Sequence, residues 1–300
     1  MARAFLERKG VESARLESEL LVAHALSITR LQLFLQLDRP ISAGEVARAR
    51  DLLVRRGRRE PAAYILGVRE FYGRPFRVGP GVLVPRPETE HLVDRAIDLA
   101  RARAARGDPL RTCADLGTGS GCIAITLALE VEGLSVLAVD TSAEALVFAR
   151  ENALALGSDA VELVEGDGFE VLARAVRERG RRFDLLVSNP PYVPRSACAS
   201  LAPEVRDHEP EAALFAPEDD PDHFVRRLVE EGCLLVSPGG TILVELGHDQ
   251  AERAREIARG HGVRGDDVPV NDIPVNDIAV RLHPDYGGHE RVLEITLEAS

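Results

Sequence analysis

The sequence predicts an α/β protein in which a mostly parallel sheet, covered by helices, follows a small helical unit. Short apolar runs alternate with helical stretches after about residue 110, which is the pattern of a parallel sheet with helices on both faces. A glycine-rich turn directly follows the first of these runs. In the first 60 positions apolar residues instead recur at helical spacing. Together these observations predict two structural units in one chain.

Composition limits the class of the protein. The chain has 300 residues, 45% hydrophobic and 29% charged, as in a globular enzyme with an aliphatic interior. The formal net charge of −12 argues against binding that depends on neutralising many phosphates. No apolar run approaches the roughly 18 to 20 residues of a membrane-spanning helix, and no export signal is recognisable. The four cysteines suggest neither a metal site nor a disulfide framework, so we expect a cytoplasmic protein with reduced thiols.

Residues 1–60 are expected to form a small helical domain. Ser42 is the predicted N-cap of its third helix. The run Arg55–Arg59 has two interpretations, a solvated helix end or an anion site. Residues 61–87, rich in Gly and Pro from Gly73 to Gly81, are expected to form a hairpin linker. The apolar positions at helical spacing are Leu16, Leu20, Leu21 and Ala25, then Leu31, Phe34 and Leu35, then Val46, Leu52 and Leu53.

Residues 88–300 are expected to form the α/β domain. Its predicted parallel strands are Thr112–Leu116, Ser135–Asp140, Val161–Val164, Phe183–Ser188 and Thr241–Glu245. Helices are expected to start near Cys122, Ala143, Glu170, His223 and Asp249. The runs Ile278–Leu282 and Arg291–Leu297 predict an antiparallel hairpin at the sheet edge. The pentapeptide Pro-Val-Asn-Asp-Ile occurs twice within 269–278, which we interpret as an expanded surface loop.

The glycine-rich turn reads Asp115-Leu-Gly-Thr-Gly-Ser-Gly121 and precedes a predicted helix. Open α/β sheets bind ligands at this edge, and glycine lets the backbone turn sharply and approach a ligand closely. The spacing departs from the dinucleotide pattern Gly-x-Gly-x-x-Gly, which favours a nucleoside over a pyrophosphate. A purely structural turn is the alternative. The candidate ligand-binding residues are Asp115, Gly117, Thr118, Gly119, Ser120 and Gly121.

Two acidic residues follow the next two predicted strands. Asp140 ends the second strand, where its carboxylate can accept hydrogen bonds from both ribose hydroxyls, although the N-cap of the next helix is an alternative role. Asp167, followed by Gly168, comes after the third strand and can accept a hydrogen bond from an adenine amino group. Because the carboxyl ends of parallel strands meet at one edge, these residues are predicted to share one crevice with the glycine turn.

The sequence Asn189-Pro190-Pro191-Tyr192 directly follows the fourth predicted strand. The two prolines fix the backbone and lack N–H donors, which leaves the Asn189 side-chain oxygen and the Pro190 carbonyl as paired acceptors for a planar NH2 group. Tyr192 can stack on that plane. Such a nitrogen is a poor nucleophile, and two acceptors would aim it at an electrophile and stabilise the developing positive charge. A rigid turn without a catalytic role is the alternative.

At this point the chain resembles the protein-(glutamine N5) methyltransferases of the HemK/PrmC family, from about residue 11 to the C-terminus. The resemblance implies a Rossmann-like class I methyltransferase domain and a helical N-terminal domain that helps to grip a peptide chain release factor. The implied reaction moves a methyl group from S-adenosyl-L-methionine to a glutamine in a Gly-Gly-Gln loop. The most specific stretches are Ala63–Gly67, Arg69–Gly73, Val84–Glu90, Asp115–Gly121 and Val187–Val193.

The resemblance also implies residue roles. The turn Gly117–Gly121 and Asp140 would hold the cofactor, and Asn189–Tyr192 would hold the glutamine amide. Arg86 and Glu90 would organise the domain junction.

The chain departs from the family at two places. Gly168 stands where the family usually has an aromatic residue, so an adenine-stacking contact is either missing or supplied by Phe169. The segment 216–222 is more acidic than the usual loop. Neither departure removes a group that the implied reaction needs.

Three alternatives share part of the pattern. A ribosomal-protein glutamine methyltransferase is the nearest, and Arg86–Glu90 speaks against it. A DNA or RNA adenine-N6 methyltransferase shares Asn-Pro-Pro-Tyr but would need a basic recognition surface. A non-catalytic binding module is disfavoured by the intact Asp140 and Asn189–Tyr192. We therefore expect a release factor as the partner, with no direct contact to nucleic acid or membrane.

Overall fold

The computed structural model describes residues 1–36, 38–260 and 278–298, and within them it confirms the α/β class. Ser42 is an N-cap as predicted, although its helix is the fourth of the structure rather than the third. The Ser42 hydroxyl accepts a hydrogen bond from the Glu45 amide, and the Glu45 carboxylate accepts one from the Ser42 amide. The N-terminal helices are α1 (Ala2–Arg8), α2 (Ala14–Ala25), α3 (Arg30–Leu35), α4 (Ala43–Gly57) and α5 (Ala62–Leu66).

The buried face of these helices differs in part from the predicted apolar stripe. Leu6, Leu21 and Ile65 belong to their core. Leu31 and Leu35 are 67% and 74% exposed, because α3 has only six residues and buries none of them. Leu16, Phe34 and Val46 are exposed as well. Helical spacing therefore identified the helices but not which apolar residues they bury.

The linker contains the predicted hairpin, formed by β1 (Val68–Phe71) and β2 (Arg74–Arg77). A short 3-10 turn, Pro87–Thr89, then leads into α6 (Glu90–Ala105). The Glu90 carboxylate accepts a hydrogen bond from the Tyr72 amide at 2.8 Å, so the start of α6 is tied to the turn of the hairpin. The division at residues 60 and 87 stays a prediction.

The main sheet has the strand order β5-β4-β3-β6-β7-β9-β8 among the described residues. Strands β3 to β7 run parallel, and β9 pairs antiparallel with both β7 and β8, which confirms the edge hairpin. The strands are β3 (Thr112–Leu116), β4 (Ser135–Asp140), β5 (Val161–Glu165), β6 (Phe183–Ser188), β7 (Val236–Glu245), β8 (Ile278–Pro284) and β9 (Glu290–Leu297).

Strand β7 begins earlier than predicted, at Val236 rather than at Thr241. Phe183 pairs with Val236 and Leu185 with Thr241, so the residues between them form a bulge. Gly239 and Gly240 lie inside this irregular part of the strand.

The helices that follow cover both faces of the sheet and build two apolar cores. They are α7 (Cys122–Glu130), α8 (Ala143–Leu156), α9 (Gly168–Arg179), α10 (Pro203–Arg206), α11 (Glu211–Leu214), α12 (His223–Arg227), α13 (Cys233–Leu235) and α14 (Ala251–Gly260), with 3-10 segments at Arg195–Ser200 and Pro217–Asp219 and a π-helical segment at Leu228–Gly232. Helix α9 starts at Gly168 rather than near Glu170 because Asp167 is its N-cap, and α14 starts at Ala251 rather than near Asp249.

Three further findings concern the expectations from composition. No described helix combines the length and apolar character needed to cross a bilayer. All four cysteines are free thiols. The duplicated loop lies outside the described residues except for Ile278, which opens β8.

Candidate active site

The glycine-rich turn is fastened to the carboxyl end of β4. The amides of Gly117 and Thr118 both donate to the Val139 carbonyl, at 2.9 and 3.0 Å. The Gly119 amide donates to the Asp140 carboxylate at 2.8 Å. Gly117, Gly119 and Gly121 have φ values of 78°, 56° and 80°, a region that favours glycine. Since these amides are occupied within the protein, the turn is not a phosphate cradle, which agrees with the prediction against a pyrophosphate ligand.

The polar side chains of the turn lie beneath it. Asp115 is fully buried at the end of β3 and accepts a hydrogen bond from the Thr118 hydroxyl at 2.7 Å. Burial raises the pKa of Asp115 to about 7. Thr118 and Ser120 are buried too. At Gly117, by contrast, no described atom lies within 4 Å of the position that a Cβ would take, so the backbone there borders open space. Asp115, Thr118 and Ser120 therefore shape the turn, and its glycine backbone borders the crevice.

Asn152 also supports the turn and was missed in the sequence. It is buried in α8 and donates to the Ser120 carbonyl at 2.9 Å and to the Arg77 carbonyl at 3.1 Å. Its side-chain oxygen accepts from the Arg77 amide at 2.7 Å. One side chain thus joins α8, the glycine turn and the linker hairpin. The only signal in the sequence was a polar residue among the apolar positions of a predicted helix.

Asp140 accepts hydrogen bonds with both carboxylate oxygens. One oxygen accepts from the Gly119 amide and the other from the Ser142 amide, each at 2.8 Å. The alternative role of Asp140 as N-cap of α8 is wrong, because Ser142 is the N-cap and accepts from the Ala145 amide. Each carboxylate oxygen has a further lone pair, so Asp140 can still accept hydrogen bonds from a ligand.

Asp167 and its neighbours lie at the same edge, after β5. Asp167 caps α9 by accepting from the Glu170 amide at 3.1 Å. A Cβ at Gly168 would lie 1.9 Å from the Leu116 side chain, so any larger residue there requires Leu116 to move. Phe169 is 4% exposed and lies beneath the Arg227 guanidinium, 4.1 Å from the ring centroid. An adenine ring would have to displace Arg227 to stack on Phe169.

Asn189 and the residues after it continue this edge at the end of β6. The Asn189 amino group donates to the Thr89 hydroxyl at 3.1 Å, which leaves its carbonyl oxygen free to accept from a ligand. Pro190 is buried, and Pro191 and Tyr192 are half-buried. The Tyr192 ring packs on Gly247, where a Cβ would lie 3.0 Å from the ring. Burial raises the pKa of Tyr192 to about 12, so its hydroxyl is neutral at physiological pH.

Thr89 and Glu245 belong to this part of the site and were not among the predicted site residues. Glu245 is the last residue of β7, and the pairing of Ser188 with Val244 places it beside Asn189. Burial raises the pKa of Glu245 to about 7, and the nearby Thr89 hydroxyl has the smaller, opposite effect of lowering it. The available signals were the position of Thr89 inside the Val84–Glu90 stretch and a carboxylate at the end of an apolar strand.

The segment after Tyr192 is tied to the N-terminal helices. Arg56 is 2% exposed and pairs with both Glu17 and Glu204, at 2.8 Å to Glu204. Arg59 also pairs with Glu204. The interpretation as a solvated helix end therefore holds for Arg58, which is exposed, whereas Arg56 and Arg59 are occupied by ion pairs within the protein and do not form an open anion site.

A second contact ties the same segment to the linker. The Glu209 carboxylate accepts from Arg86 at 2.7 Å and from the Val84 amide at 3.1 Å. Arg86 therefore joins the linker to the segment after Tyr192, as the resemblance implied for a residue of the domain junction. Farther along, the acidic residues Asp220 and Asp222 pair with Arg226 and Arg253, so part of the 216–222 charge is neutralised within the protein.

The chain is similar to known methyltransferases over most of its length. Residues 1–67 match the family model described as PrmC N-terminal domain, and residues 98–203 match the model described as Methyltransferase small domain. The release factor glutamine methyltransferase of Geobacter sulfurreducens is 44% identical over 250 residues, covering 83% of each chain. That of Rhodopirellula baltica is 36% identical over 292 residues, covering 97% of this chain and 92% of the relative.

Solved structures share the fold at low sequence identity. The hMettl16 catalytic domain in complex with MAT2A 3'UTR hairpin 6 has a TM-score of 0.55 and 18% identity, covering 80% of this chain and 81% of that chain. A human methyltransferase 10 domain containing protein has a TM-score of 0.50 and 17% identity, covering 76% of this chain and 91% of the other. These similarities support the class I methyltransferase fold.

Proposed function

We propose, from the premise that this chain belongs to the family of release factor glutamine methyltransferases, that it methylates the glutamine of the Gly-Gly-Gln loop in peptide chain release factors. The methyl donor is S-adenosyl-L-methionine, and the acceptor is the side-chain amide nitrogen N5. The observation that carries this proposal is the orientation of the Asn189 side chain. Its amino group donates to Thr89, so its oxygen is free to accept a hydrogen bond from a substrate amide.

The half of the crevice at β3, β4 and β5 fits the methyl donor. S-adenosyl-L-methionine carries an electrophilic methyl group on a sulfonium. The open backbone at Gly117, within the turn Gly117–Gly121, allows close approach of this ligand. Asp140 has lone pairs for the ribose hydroxyls, and Asp167 with Gly168 borders the adenine end. Asp115, Thr118 and Ser120 hold the turn in this shape from below.

The half at β6 and β7 fits a primary amide. The Asn189 oxygen and the Pro190 carbonyl would accept the two hydrogens of the glutamine NH2 group, and Tyr192 would cover the amide plane. Two acceptors hold the nitrogen in line with the methyl group and stabilise the charge that develops on it, so no side chain has to remove a proton before attack. The neutral hydroxyl of Tyr192 agrees with this scheme.

The helical unit, residues 1–60, would help to grip the release factor. The exposed apolar side chains Leu31, Phe34 and Leu35 lie on one side of α3. Two more exposed apolar residues follow, Ile41 just before α4 and Val46 within it. An exposed apolar patch of this kind is typical of a protein-binding surface. Residues 61–87 would then link this unit to the methyltransferase domain at 88–300. The ion pairs of Glu204 with Arg56 and of Glu209 with Arg86 join these parts to the segment that follows Tyr192.

The test is transfer of labelled methyl groups from S-adenosyl-L-methionine to three acceptors. These are a purified release factor, the same factor with its Gly-Gly-Gln glutamine replaced by alanine, and duplex DNA. We expect label only on the intact factor. Label on both forms of the factor would place the methyl group at another residue, label on DNA would indicate an adenine methyltransferase, and no label on any of them would point to another protein substrate.

A further inference from the structure

We propose that Thr89 and Glu245 are positioning residues that hold the Asn189 amide in the one orientation that can accept a hydrogen bond from the substrate. This inference rests on the proposed function, because it assumes that Asn189 binds the glutamine amide. It extends the site to two buried side chains that come from the turn Pro87–Thr89 and from β7.

The geometry forms a chain of three polar groups. The Asn189 amino group donates to the Thr89 hydroxyl oxygen at 3.1 Å, across 100 residues of sequence. Glu245 lies within hydrogen-bonding range of the Thr89 hydroxyl, which lowers the pKa of its carboxyl, and its Oε2 atom is buried without a partner among the described residues. Thr89 and Glu245 are 2% and 3% exposed, so water does not compete freely for these bonds.

The direction of the chain follows from the chemistry of each group. An ionised carboxylate only accepts, and a threonine hydroxyl has a single proton to donate. Once Thr89 gives that proton to Glu245, its oxygen presents only lone pairs to Asn189. Asn189 must then turn its amino group to Thr89 and its oxygen to the substrate. With the amide flipped, a donor would face the NH2 group of the glutamine and the grip would be lost.

The same chain makes the orientation depend on the charge of Glu245. A protonated Glu245 can donate to Thr89, and Thr89 can then donate to the Asn189 oxygen, which reverses the chain. The other groups that bear on the Glu245 charge are Arg86 and Arg291, which favour ionisation, and Glu88, which opposes it. Tyr192 and Cys122 also face it, and burial keeps both neutral by raising their pKa values to about 12. Ionised Glu245 is therefore the active form, and its pKa of about 7 places the change near neutral pH.

The test compares Thr89→Val with the matched control Thr89→Ser. Valine keeps the shape of threonine without the hydroxyl, whereas serine keeps the hydroxyl. We expect Thr89→Val to lower kcat by about 10- to 100-fold, the usual cost of removing a partner that orients a reactive group, with KM for the release factor changed by less than about threefold. Thr89→Ser should recover most of the rate. A valine variant with wild-type kcat, or a serine variant as impaired as the valine variant, would overturn the inference.

A second variant keeps the test decisive if Thr89→Val does not fold. In the wild type, kcat should fall as pH drops below about 7, whereas Glu245→Gln cannot titrate and should lose this acid limb. An identical acid limb in both enzymes would overturn the inference. The proposed function is judged separately by the wild type. A wild type that does not methylate the release factor refutes both proposals, whereas an active wild type matched by the valine variant refutes only this one.

Discussion

The two halves of the crevice are built by different means. In the cofactor half, local contacts hold the glycine turn, since Gly119 and Asp140 lie 21 residues apart and belong to consecutive strand ends. In the amide half, Asn189 is held by Thr89, which lies 100 residues earlier and is close to Glu245 at the end of β7. The first half is therefore built mostly from neighbouring strand ends, with Asn152 of α8 joining it to the linker hairpin. The second requires the turn Pro87–Thr89, β6 and β7 to be assembled, so substrate geometry depends on the whole fold.

This difference predicts that damage to the amide half affects the rate and spares cofactor binding. Asn189→Ala removes the acceptor that aims the glutamine nitrogen. We expect kcat to fall by about 100- to 1000-fold, as when one preorganised polar group is removed from a transition-state site. The dissociation constant for S-adenosyl-L-methionine, measured by calorimetry as the control, should change by less than about threefold. Near-normal turnover would refute the role proposed for Asn189.

The buried carboxyl of the amide half should also affect stability in a pH-dependent way. The pKa of Glu245 is raised from 4.5 to about 7, mainly by burial. The folded state therefore binds the proton more tightly, and stability falls as pH rises from about 4.5 through 7. Glu245→Gln removes this loss, so between pH 4.5 and 8 it should gain on the order of 3 kcal/mol in unfolding free energy over the wild type. Urea unfolding at pH 4.5 and at pH 8 measures the unfolding free energy of both proteins. The same change with pH in the wild type and in Glu245→Gln would contradict the expectation.

Prediction from the sequence succeeded where neighbouring segments of the chain build the structure. The bounds of β3, β4 and β6 were predicted correctly, because each strand is a short apolar run. The glycine turn and the position of Asp140 were also readable, since they involve neighbouring segments of the chain.

Tertiary contacts account for what was not predicted. Asn152 and Thr89 are ordinary polar residues in sequence, and their roles appear only when distant segments meet. Arg56 belongs to a charged run that suggested solvent exposure, yet Glu17 and Glu204 make its burial possible by pairing with it. Local sequence does not contain the positions of such partners.

The cofactor half should respond to Asp140→Ala in binding rather than in rate. The substitution removes the acceptor of the Gly119 amide and the proposed partner of the ribose. Loss of hydrogen bonds to a charged group predicts cofactor binding weaker by about 10- to 100-fold, with a smaller change in kcat at saturating cofactor. Asp140→Asn keeps one acceptor oxygen, so its affinity for the cofactor should lie between those of the wild type and Asp140→Ala. Calorimetry measures the cofactor affinity, and kinetics at saturating cofactor measure kcat. A variant that loses kcat but keeps its cofactor affinity would refute the proposed difference between the halves.

The smallest expected effect is at Gly168, where the cofactor half meets the core. In Gly168→Ala the new Cβ would approach the Leu116 side chain to 1.9 Å, so Leu116 must move. Because Leu116 can adjust its rotamer, we expect a loss of about 1 kcal/mol in unfolding free energy, at the low end for overpacking. The matched control is Gly168→Ala in a Leu116→Ala background, which has room for the methyl group. A double-mutant cycle isolates the interaction of this pair. If Gly168→Ala loses as much unfolding free energy in the Leu116→Ala background as in the wild type, the cost does not arise from the contact with Leu116.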